Sequence, residues 1–317
     1  MKPKLVLTRA IPEAAIAKLR EYFELWVNPF DRPVTHAELR AELHNAEALI
    51  CLLTDDINKD IIDSAPELKV ISAYAVGYNN IDVDYATTKH IAVCNTAGAL
   101  TESTADLTWA LIMATCRRIT ESEAFLRSGK FRAWEPMLML GQDVYGKTLG
   151  IIGMGRIGEA VARRASGFNM KILYSGNRAK ELPFEAQLVS LEHLMRNSDI
   201  ISLHAPLTKE TKHMINKAAI KMMKPSAVLI NTARGAIVDE TELILALSEK
   251  RIFAAGFDVY EHEPRIPEEL LKLDNVVLLP HIGSASIETR TAMGIMAAEN
   301  AIAIMEGKRA LSQVNVW

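Results

Sequence analysis

Residues 148–175 read TLGIIGMGRIGEAVARRASGFNMKILYS, and this stretch decides the fold of the chain. An apolar run leads into a G-x-G-x-x-G turn, an amphipathic segment follows, and a second apolar run closes the unit. A strand, a glycine-rich turn, a helix and a second strand in this order form the unit that binds dinucleotides. The first backbone amides of such a helix favour a pyrophosphate. The residues expected at that group are Gly153, Gly155, Arg156, Ile157 and Gly158.

Short apolar runs and amphipathic segments alternate along the rest of the chain as well. This alternation predicts an α/β protein whose parallel sheets are covered by helices. We predict two doubly wound parallel-sheet domains, a Rossmann dinucleotide-binding domain and a flavodoxin-like substrate domain. A helical stretch over 101–129 separates the two series of strands, and the amphipathic stretch 287–306 is expected to return to the first domain. The predicted domains are residues 1–99 with 287–317, and residues 100–286.

The composition narrows the class of protein. The chain has 317 residues, of which 49% are hydrophobic and 24% charged, which suits two globular domains. Its apolar runs, such as 48–53, are far shorter than the roughly 20 residues of a membrane span, and its start lacks the apolar stretch of a signal peptide. A net charge of −3 with both signs interspersed argues against nucleic acid as a partner. We expect a cytoplasmic protein that contacts neither membrane nor nucleic acid.

The three cysteines, Cys51, Cys94 and Cys116, are an odd number without a CxxC or metal-ligand spacing. This pattern is typical of buried, reduced thiols in the cytoplasm. We therefore expect no disulfide framework and no metal site.

The stretch LYSGNRAK, residues 173–180, lacks an acid where an NAD site has one. At the end of the second strand, an Asp or Glu normally accepts hydrogen bonds from the adenosine ribose. Here the side chains are Ser175, Asn177 and Arg178, which can donate to a 2'-phosphate that an acid would repel. The stretch thus predicts NADP as cofactor, with NADPH preferred over NADH. The alternative is a solvated polar loop whose composition has no functional meaning.

Three later strands end in side chains suited to carbonyl reduction beside a carboxylate. The first of these strands is followed by Arg234, the second by Asp258 and Glu263, and the third by His281. An Arg binds a planar carboxylate, a His transfers a proton near neutral pH, and a Glu can orient that His. Alone, Glu263 would be an ordinary loop acid and Arg234 a strand-end ion pair. His281 fits core packing poorly, because it follows VVLLP and precedes Ile-Gly.

Nearly the whole chain resembles the D-2-hydroxyacid dehydrogenase family. The resemblance rests on LINTARGAIVDETELILAL (229–247), AAGFDVYEHEP (254–264) and LLPHIGSAS (278–286). It implies that Arg234 binds the substrate's carboxylate and carbonyl, that His281 donates the proton in reduction, and that Glu263 pairs with the imidazole. It also implies that Asp258 contacts the nicotinamide amide, and that three more residues lie near the cofactor, namely Thr104, Pro206 and Thr232.

Within the family, the stretch 132–158 most resembles the glyoxylate and hydroxypyruvate reductases. In these, a Trp at the position of Trp134 reaches into the partner subunit's site, which implies a homodimer. The resemblance further implies a substrate loop in AVGYNNID (75–82), whose backbone amides hold the carboxylate. Besides Arg234 and His281, the expected substrate-binding residues are Leu53, Val76, Gly77, Ser284 and Trp134.

The predicted activity is reduction of a small 2-keto acid, glyoxylate or hydroxypyruvate, to the D-2-hydroxy acid by hydride from NADPH. A formate dehydrogenase is disfavoured because it has Gln where this chain has Glu263. A long phosphoglycerate dehydrogenase is also disfavoured, because its regulatory domain is expected beyond the position of Trp317. Two alternatives stay open. One is an NAD(P)-sensing interaction protein, since the family includes a transcriptional corepressor, and the other is an NAD-dependent dehydrogenase for another 2-hydroxy acid.

Overall fold

A computed structural model describes residues 2–317. Its strands are β1 (Lys4–Leu7), β2 (Glu24–Val27), β3 (Ala48–Cys51), β4 (Val70–Ala73), β5 (Ala92–Cys94), β6 (Thr148–Ile152), β7 (Lys171–Ser175), β8 (Gln187–Leu188), β9 (Ile200–Leu203), β10 (Val228–Asn231), β11 (Ala254–Phe257) and β12 (Val276–Leu278). Its helices are α1 (Glu13–Tyr22), α2 (His36–Leu43), α3 (Lys59–Asp63), α4 (Val83–Thr88), α5 (Thr101–Cys116), α6 (Ile119–Arg127), α7 (Arg156–Arg164), α8 (Leu191–Asn197), α9 (Lys217–Met222), α10 (Glu240–Ser248), α11 (Glu268–Leu271) and α12 (Ile287–Met305).

The chain divides into two compact units. The first contains the residues up to Leu100 together with Ser284–Trp317, and the second is Thr101–Gly283. The predicted boundaries at 99/100 and 286/287 differ from these by one and three residues. Helix α12 packs against β3, β4 and β5, so the last helix belongs to the first unit.

The first unit is a five-stranded parallel sheet with strand order β2-β1-β3-β4-β5. This is the flavodoxin-like order, in which the chain winds first to one side of the first strand and then to the other. One apolar core lies under α1 and α12, and a second lies on the opposite face under α2, α3 and α4. Because both faces are covered, β3, β4 and β5 are buried along their whole length, whereas the edge strand β2 exposes Glu24.

The second unit is a seven-stranded parallel sheet with order β12-β11-β10-β9-β6-β7-β8. This is the Rossmann order with one further strand, β12, at one edge. The chain reverses its direction of winding at β6, so the ends of β6 and β9 form the switch point where such sheets bind ligands. Both sheets match the prediction, and the predicted α/β fold class is confirmed.

The helical stretch predicted over 101–129 is two helices rather than one. It breaks after α5 because Arg118 adopts a left-handed backbone with φ of 53°. The Arg118 guanidinium donates to both carboxylate oxygens of Glu121, at 2.8 and 2.6 Å, which fixes the start of α6. Gly129, with φ of 72°, ends α6 as predicted.

All three cysteines are buried free thiols. None of the helices that the structure describes is long and apolar enough to cross a membrane. Within residues 2–317, no cluster of His, Cys, Asp and Glu side chains has the arrangement of a metal site.

Candidate active site

The glycine turn after β6 is shaped by two close backbone approaches. Gly153 has φ of 94°, and a β-carbon there would lie 2.6 Å from the amide nitrogen of Ala205. A β-carbon on Gly158 would lie 2.2 Å from the carbonyl oxygen of Gly153. Side chains at these two positions would therefore displace the turn from the end of β9 or lift α7 from β6.

Gly155 differs from the other two glycines because the space beside it is open. A β-carbon on Gly155 would meet no atom within 4 Å. Gly155 is also the N-cap of α7, and no side chain caps this helix end. The first amides of α7, those of Arg156, Ile157 and Gly158, thus border an open cradle with partial positive charge. A dinucleotide pyrophosphate fits this cradle, and the added β-carbon would obstruct it.

The loop after β7 presents donors rather than an acid. Ser175 is half-buried, whereas Asn177 and Arg178 are exposed. Within residues 2–317, no carboxylate forms an ion pair with Arg178. The loop folds back because the amide of Lys180 donates to the Tyr174 hydroxyl at 3.0 Å. Lys180 is a second cation in this loop and was not among the predicted site residues, although it lies within the same eight residues.

Two of the predicted cofactor residues are threonines whose hydroxyls bond within the second unit. Thr104 donates to the carbonyl of Gly283 at 3.1 Å, and Thr232 shares a hydrogen bond of 2.9 Å with Thr108. Pro206, a third predicted residue, follows β9, and its carbonyl accepts from the Thr211 hydroxyl at 2.6 Å. These bonds fix the segments that follow β9, β10 and β12.

Arg234 follows β10, and the backbone around it is fixed by Asn231. The Asn231 side chain donates to the Arg234 carbonyl at 2.9 Å and accepts from the amide of Ala233 at 3.0 Å. Burial lowers the pKa of the Arg234 guanidinium, and the charge of Glu263 acts in the opposite direction. None of the described carboxylates lies within ion-pair distance of Arg234. A half-buried guanidinium without such a partner is suited to bind an anionic ligand.

His281 and Glu263 form an acid–base pair at this edge of the sheet. The distance from Nδ1 of His281 to Oε2 of Glu263 is 2.8 Å. Burial raises the pKa of the Glu263 carboxyl, but the hydrogen bond and charge of His281 outweigh it, so the pKa lies below its ordinary value. With Nδ1 bound to a carboxylate, Nε2 is the nitrogen available to give or take a proton.

Asp258 holds the backbone that follows His281. Its side chain is buried, and its two oxygens accept from the amides of Ile282 and Gly283, each at 2.7 Å. Burial raises the pKa of the Asp258 carboxyl, and these two bonds oppose that change. Each of these oxygens keeps a further lone pair, so the contact with the nicotinamide amide that the resemblance implies stays a prediction.

A second histidine near the glycine turn, His204, is unsuited to donate a proton. Its Nε2 lies 2.8 Å from the Ser202 hydroxyl. Burial lowers the pKa of His204 to about 3, so its imidazole is neutral at physiological pH. Of these two histidines, His281 is therefore the candidate for the proton donor.

In the first unit, two asparagines hold the loops that contain the predicted substrate-binding residues. Asn95 donates to the carbonyl of Val76 at 2.8 Å, next to Gly77. Asn80 donates to the carbonyls of Leu52 and Asp55, at 3.0 and 2.7 Å, on either side of the exposed Leu53. Ser284, also in this unit, accepts from Nε of Arg290 through its carbonyl at 3.2 Å. Neither asparagine is predictable from the sequence, since a lone Asn carries no pattern.

Trp134 lies in the second unit, between α6 and β6, and 81% of its surface is exposed. Among residues 2–317, no hydrogen bond or ring contact links Trp134 to Arg234, Glu263 or His281. The segment around it also exposes other large apolar side chains, namely Ile119, Leu126, Phe131, Met137, Leu140 and Tyr145.

Comparisons with known proteins identify the family of the chain. Residues 109–283 match the model of the D-isomer specific 2-hydroxyacid dehydrogenase family, NAD binding domain. The chain is 49% identical over 324 residues to a glyoxylate reductase of Thermococcus litoralis, which covers 99% of this chain and 97% of that protein. It is 50% identical over 321 residues to a glyoxylate reductase of Korarchaeum cryptofilum, with 99% and 96% coverage.

Solved structures share the fold of the whole chain. A Thermus thermophilus protein superposes with a TM-score of 0.93 at 43% identity, covering 98% of this chain and 100% of that one. An NADPH-dependent glyoxylate/hydroxypyruvate reductase of Sinorhizobium meliloti, solved with NADP and malonate, superposes with a TM-score of 0.90 at 31% identity, with 99% and 97% coverage.

Proposed function

The chain belongs to the D-isomer specific 2-hydroxyacid dehydrogenase family, and we propose that it is an NADPH-dependent reductase of small 2-keto acids. Glyoxylate and hydroxypyruvate are the proposed substrates, and the D-2-hydroxy acid is the product. One observation carries the proposal. The 2.8 Å pair of Glu263 with His281 lies in the same unit as a half-buried Arg234 that has no ion-pair partner among residues 2–317, and as the open cradle at Gly155.

Each of the three charged side chains has a separate task in this reaction. Arg234 binds the substrate carboxylate and polarises the keto carbonyl. Nε2 of protonated His281 gives its proton to the keto oxygen, on which negative charge develops. Glu263 stabilises the imidazolium through Nδ1 before the transfer and keeps the neutral imidazole oriented after it. The nicotinamide cofactor, when bound, supplies the hydride to the carbonyl carbon.

The choice of a small keto acid is supported by the relatives. The two archaeal proteins at 49% and 50% identity are both glyoxylate reductases, and they match this chain almost end to end. We propose that the chain shares their substrate. The backbone amides of Val76 and Gly77 are the proposed carboxylate donors of the first unit, and Leu53 and Ser284 are proposed to contact the substrate.

The choice of NADPH is supported by the charge of the loop after β7. Ser175, Asn177, Arg178 and Lys180 offer donors and two cations, and the Sinorhizobium meliloti neighbour is NADPH-dependent and holds NADP. We propose that these side chains bind the 2'-phosphate. The remaining proposed cofactor contacts come from the glycine turn and from Thr104, Pro206, Thr232 and Asp258.

The exposed apolar segment around Trp134 supports a homodimer. Apolar side chains rarely cluster on a surface without a partner. We propose that a second copy of the chain covers this segment and that Trp134 enters the site of the partner subunit. The proposed location is the cytoplasm, where buried free thiols stay reduced.

A panel of 2-keto acids tests the proposal against both cofactors. We expect oxidation of NADPH with glyoxylate and hydroxypyruvate, at higher kcat/KM than with branched or aromatic keto acids. Because glycolate is achiral, hydroxypyruvate reports the hand of the product, which should be D-glycerate. Cofactor binding without turnover of any keto acid would contradict the proposal and indicate a nucleotide sensor. Turnover with NADH alone would refute the cofactor assignment only.

A further inference from the structure

We infer that Tyr260 is a positioning residue that holds Glu263 and His281 in register with each other. It does so through two separate groups, its backbone amide and its phenol hydroxyl. The inference rests on the proposed role of His281 as proton donor and adds a residue that neither the motifs nor the comparisons assign to the reaction.

Tyr260 binds Glu263 directly and binds the backbone of the segment that leads to His281. Its amide donates to Oε1 of Glu263 at 3.0 Å, the oxygen that does not bind His281. Its hydroxyl donates to the carbonyl of Leu279 at 2.9 Å, two residues before His281. One buried residue therefore fixes the carboxylate and the backbone that leads to the imidazole.

The segment 279–283 needs such a hold because it leaves the sheet in an unfavourable conformation. The Leu279 amide still pairs with β11, through the carbonyl of Phe257 at 2.8 Å. Pro280 then has no amide hydrogen to donate, and His281 has a left-handed backbone with φ of 56°. Residues other than glycine disfavour this region, so neighbouring bonds must impose the conformation.

The two ends of this segment are held by residues that are close in sequence. Tyr260 binds the carbonyl of Leu279 before His281, and Asp258 binds the amides of Ile282 and Gly283 after it. The strand end after β11 thus fixes the imidazole from both sides. Loss of either hold would free the histidine to leave its left-handed conformation.

Tyr260 is itself fixed by the loop that contains Arg234. A β-carbon on Gly235 would lie 1.8 Å from the Tyr260 carbonyl carbon, so the two backbones are in direct contact. The next residue, Glu261, donates its amide to Oε1 of Glu240 at 2.7 Å. The backbone at Tyr260 is therefore linked to the segments that contain Arg234, Glu263 and His281.

The phenol stays a hydrogen-bond donor over the working pH range. Burial raises the pKa of Tyr260, and the charges of Asp258, Glu263 and Glu240 raise it further. Tyr260→Phe removes this donor, keeps the ring and leaves the amide of residue 260 bound to Glu263. It is thus a test of the hydroxyl alone.

In Tyr260→Phe, kcat for glyoxylate should fall about three- to tenfold, while the Kd for NADPH stays within about twofold. The matched control is Tyr74→Phe. Tyr74 is 6% exposed, as Tyr260 is, and its hydroxyl also donates to a backbone carbonyl, that of Arg290 at 2.7 Å. This control should lose a similar amount of thermal stability and keep its kcat.

A double-variant cycle separates positioning from general loss of structure. If Tyr260 acts through His281, its replacement should have little further effect in the His281→Ala background. Tyr260→Phe could lower kcat equally in the unaltered protein and in His281→Ala, or could leave the kcat of the unaltered protein unchanged. Either result would overturn the inference and leave the proposed function intact. Full turnover by His281→Ala alone would refute the proposed function, and the inference with it.

Discussion

Glu263 and His281 are 18 residues apart and meet through a 2.8 Å hydrogen bond between Oε2 and Nδ1. Oε1 of the same carboxylate is held by the amide of Tyr260. The carboxylate is therefore oriented by the backbone and orients the imidazole in turn, which leaves Nε2 free to act on a substrate. This arrangement identifies Nε2 as the nitrogen that is available to the substrate, which the residue types alone do not show.

Replacing Glu263 with Gln should shift the pH profile of reduction. A carboxylate stabilises the protonated imidazole, so the pH at which kcat/KM is half-maximal should fall, and turnover at neutral pH should drop about tenfold. Glu261→Gln is the matched control, because Glu261 pairs with His213 at 2.7 Å in the same loop. The pairing has no catalytic meaning if both variants keep the profile of the unaltered protein.

The three glycine substitutions should separate folding from cofactor binding. Gly153→Ala should lower the Tm, because its left-handed backbone and the 2.6 Å approach of Ala205 leave no room for a side chain. Gly155→Ala should keep the Tm and weaken the cofactor at least about tenfold, since the new methyl enters the open cradle. Gly167→Ala, also in open space, should change neither. Unaltered cofactor affinity in Gly155→Ala would contradict the placement of the pyrophosphate.

Arg178 should decide much of the preference for NADPH. Arg178→Ala should weaken NADPH by about 1.5–3 kcal/mol, or roughly ten- to a hundredfold, and leave NADH unchanged. Ser175→Asp should shift the preference further towards NADH, because an acid repels the 2'-phosphate of NADPH and accepts hydrogen bonds from the ribose of NADH. High salt should narrow the gap between the two cofactors. Arg196→Ala, which removes an exposed cation on α8, serves as control. Equal kcat/KM for NADPH and NADH in the unaltered protein would mean that this loop is only solvated surface.

Trp134 should affect both assembly and the range of substrates. If it narrows the partner's site, Trp134→Ala should raise kcat/KM for bulkier keto acids about tenfold relative to glyoxylate. Trp317→Ala removes another exposed Trp, in the first unit, and should leave the ranking unchanged. Size-exclusion chromatography should show a dimer. A monomer, or the same substrate ranking in both variants, would count against this role.

Much of the fold was predictable because it is written in local patterns. Most strands are short, largely apolar runs, and the G-x-G-x-x-G turn lies between a strand and a helix, so the pattern predicts two wound sheets. The break at Arg118 was not predictable, because it depends on one left-handed residue and its contact with Glu121. The sequence on both sides of it is compatible with one continuous helix.

The site was predictable at its charged residues and less so at the groups that hold them. Arg234, Glu263 and His281 each follow a strand, and the carboxyl ends of parallel strands lie at one edge of a sheet. The role of Tyr260 depends on a hydroxyl meeting a carbonyl 19 residues away, which no spacing in the sequence indicates. Asp258 was selected, but its two bonds to backbone amides follow only from the path of the segment after His281.

The most direct test of the proposed mechanism compares the unaltered protein with His281→Ala in two assays, NADPH oxidation with glyoxylate and equilibrium binding of NADPH. The proposal predicts turnover by the unaltered protein and, in the variant, a loss of kcat of at least about a hundredfold with NADPH affinity unchanged. Turnover that survives in His281→Ala, or an unaltered protein that binds NADPH and reduces no keto acid, would contradict it.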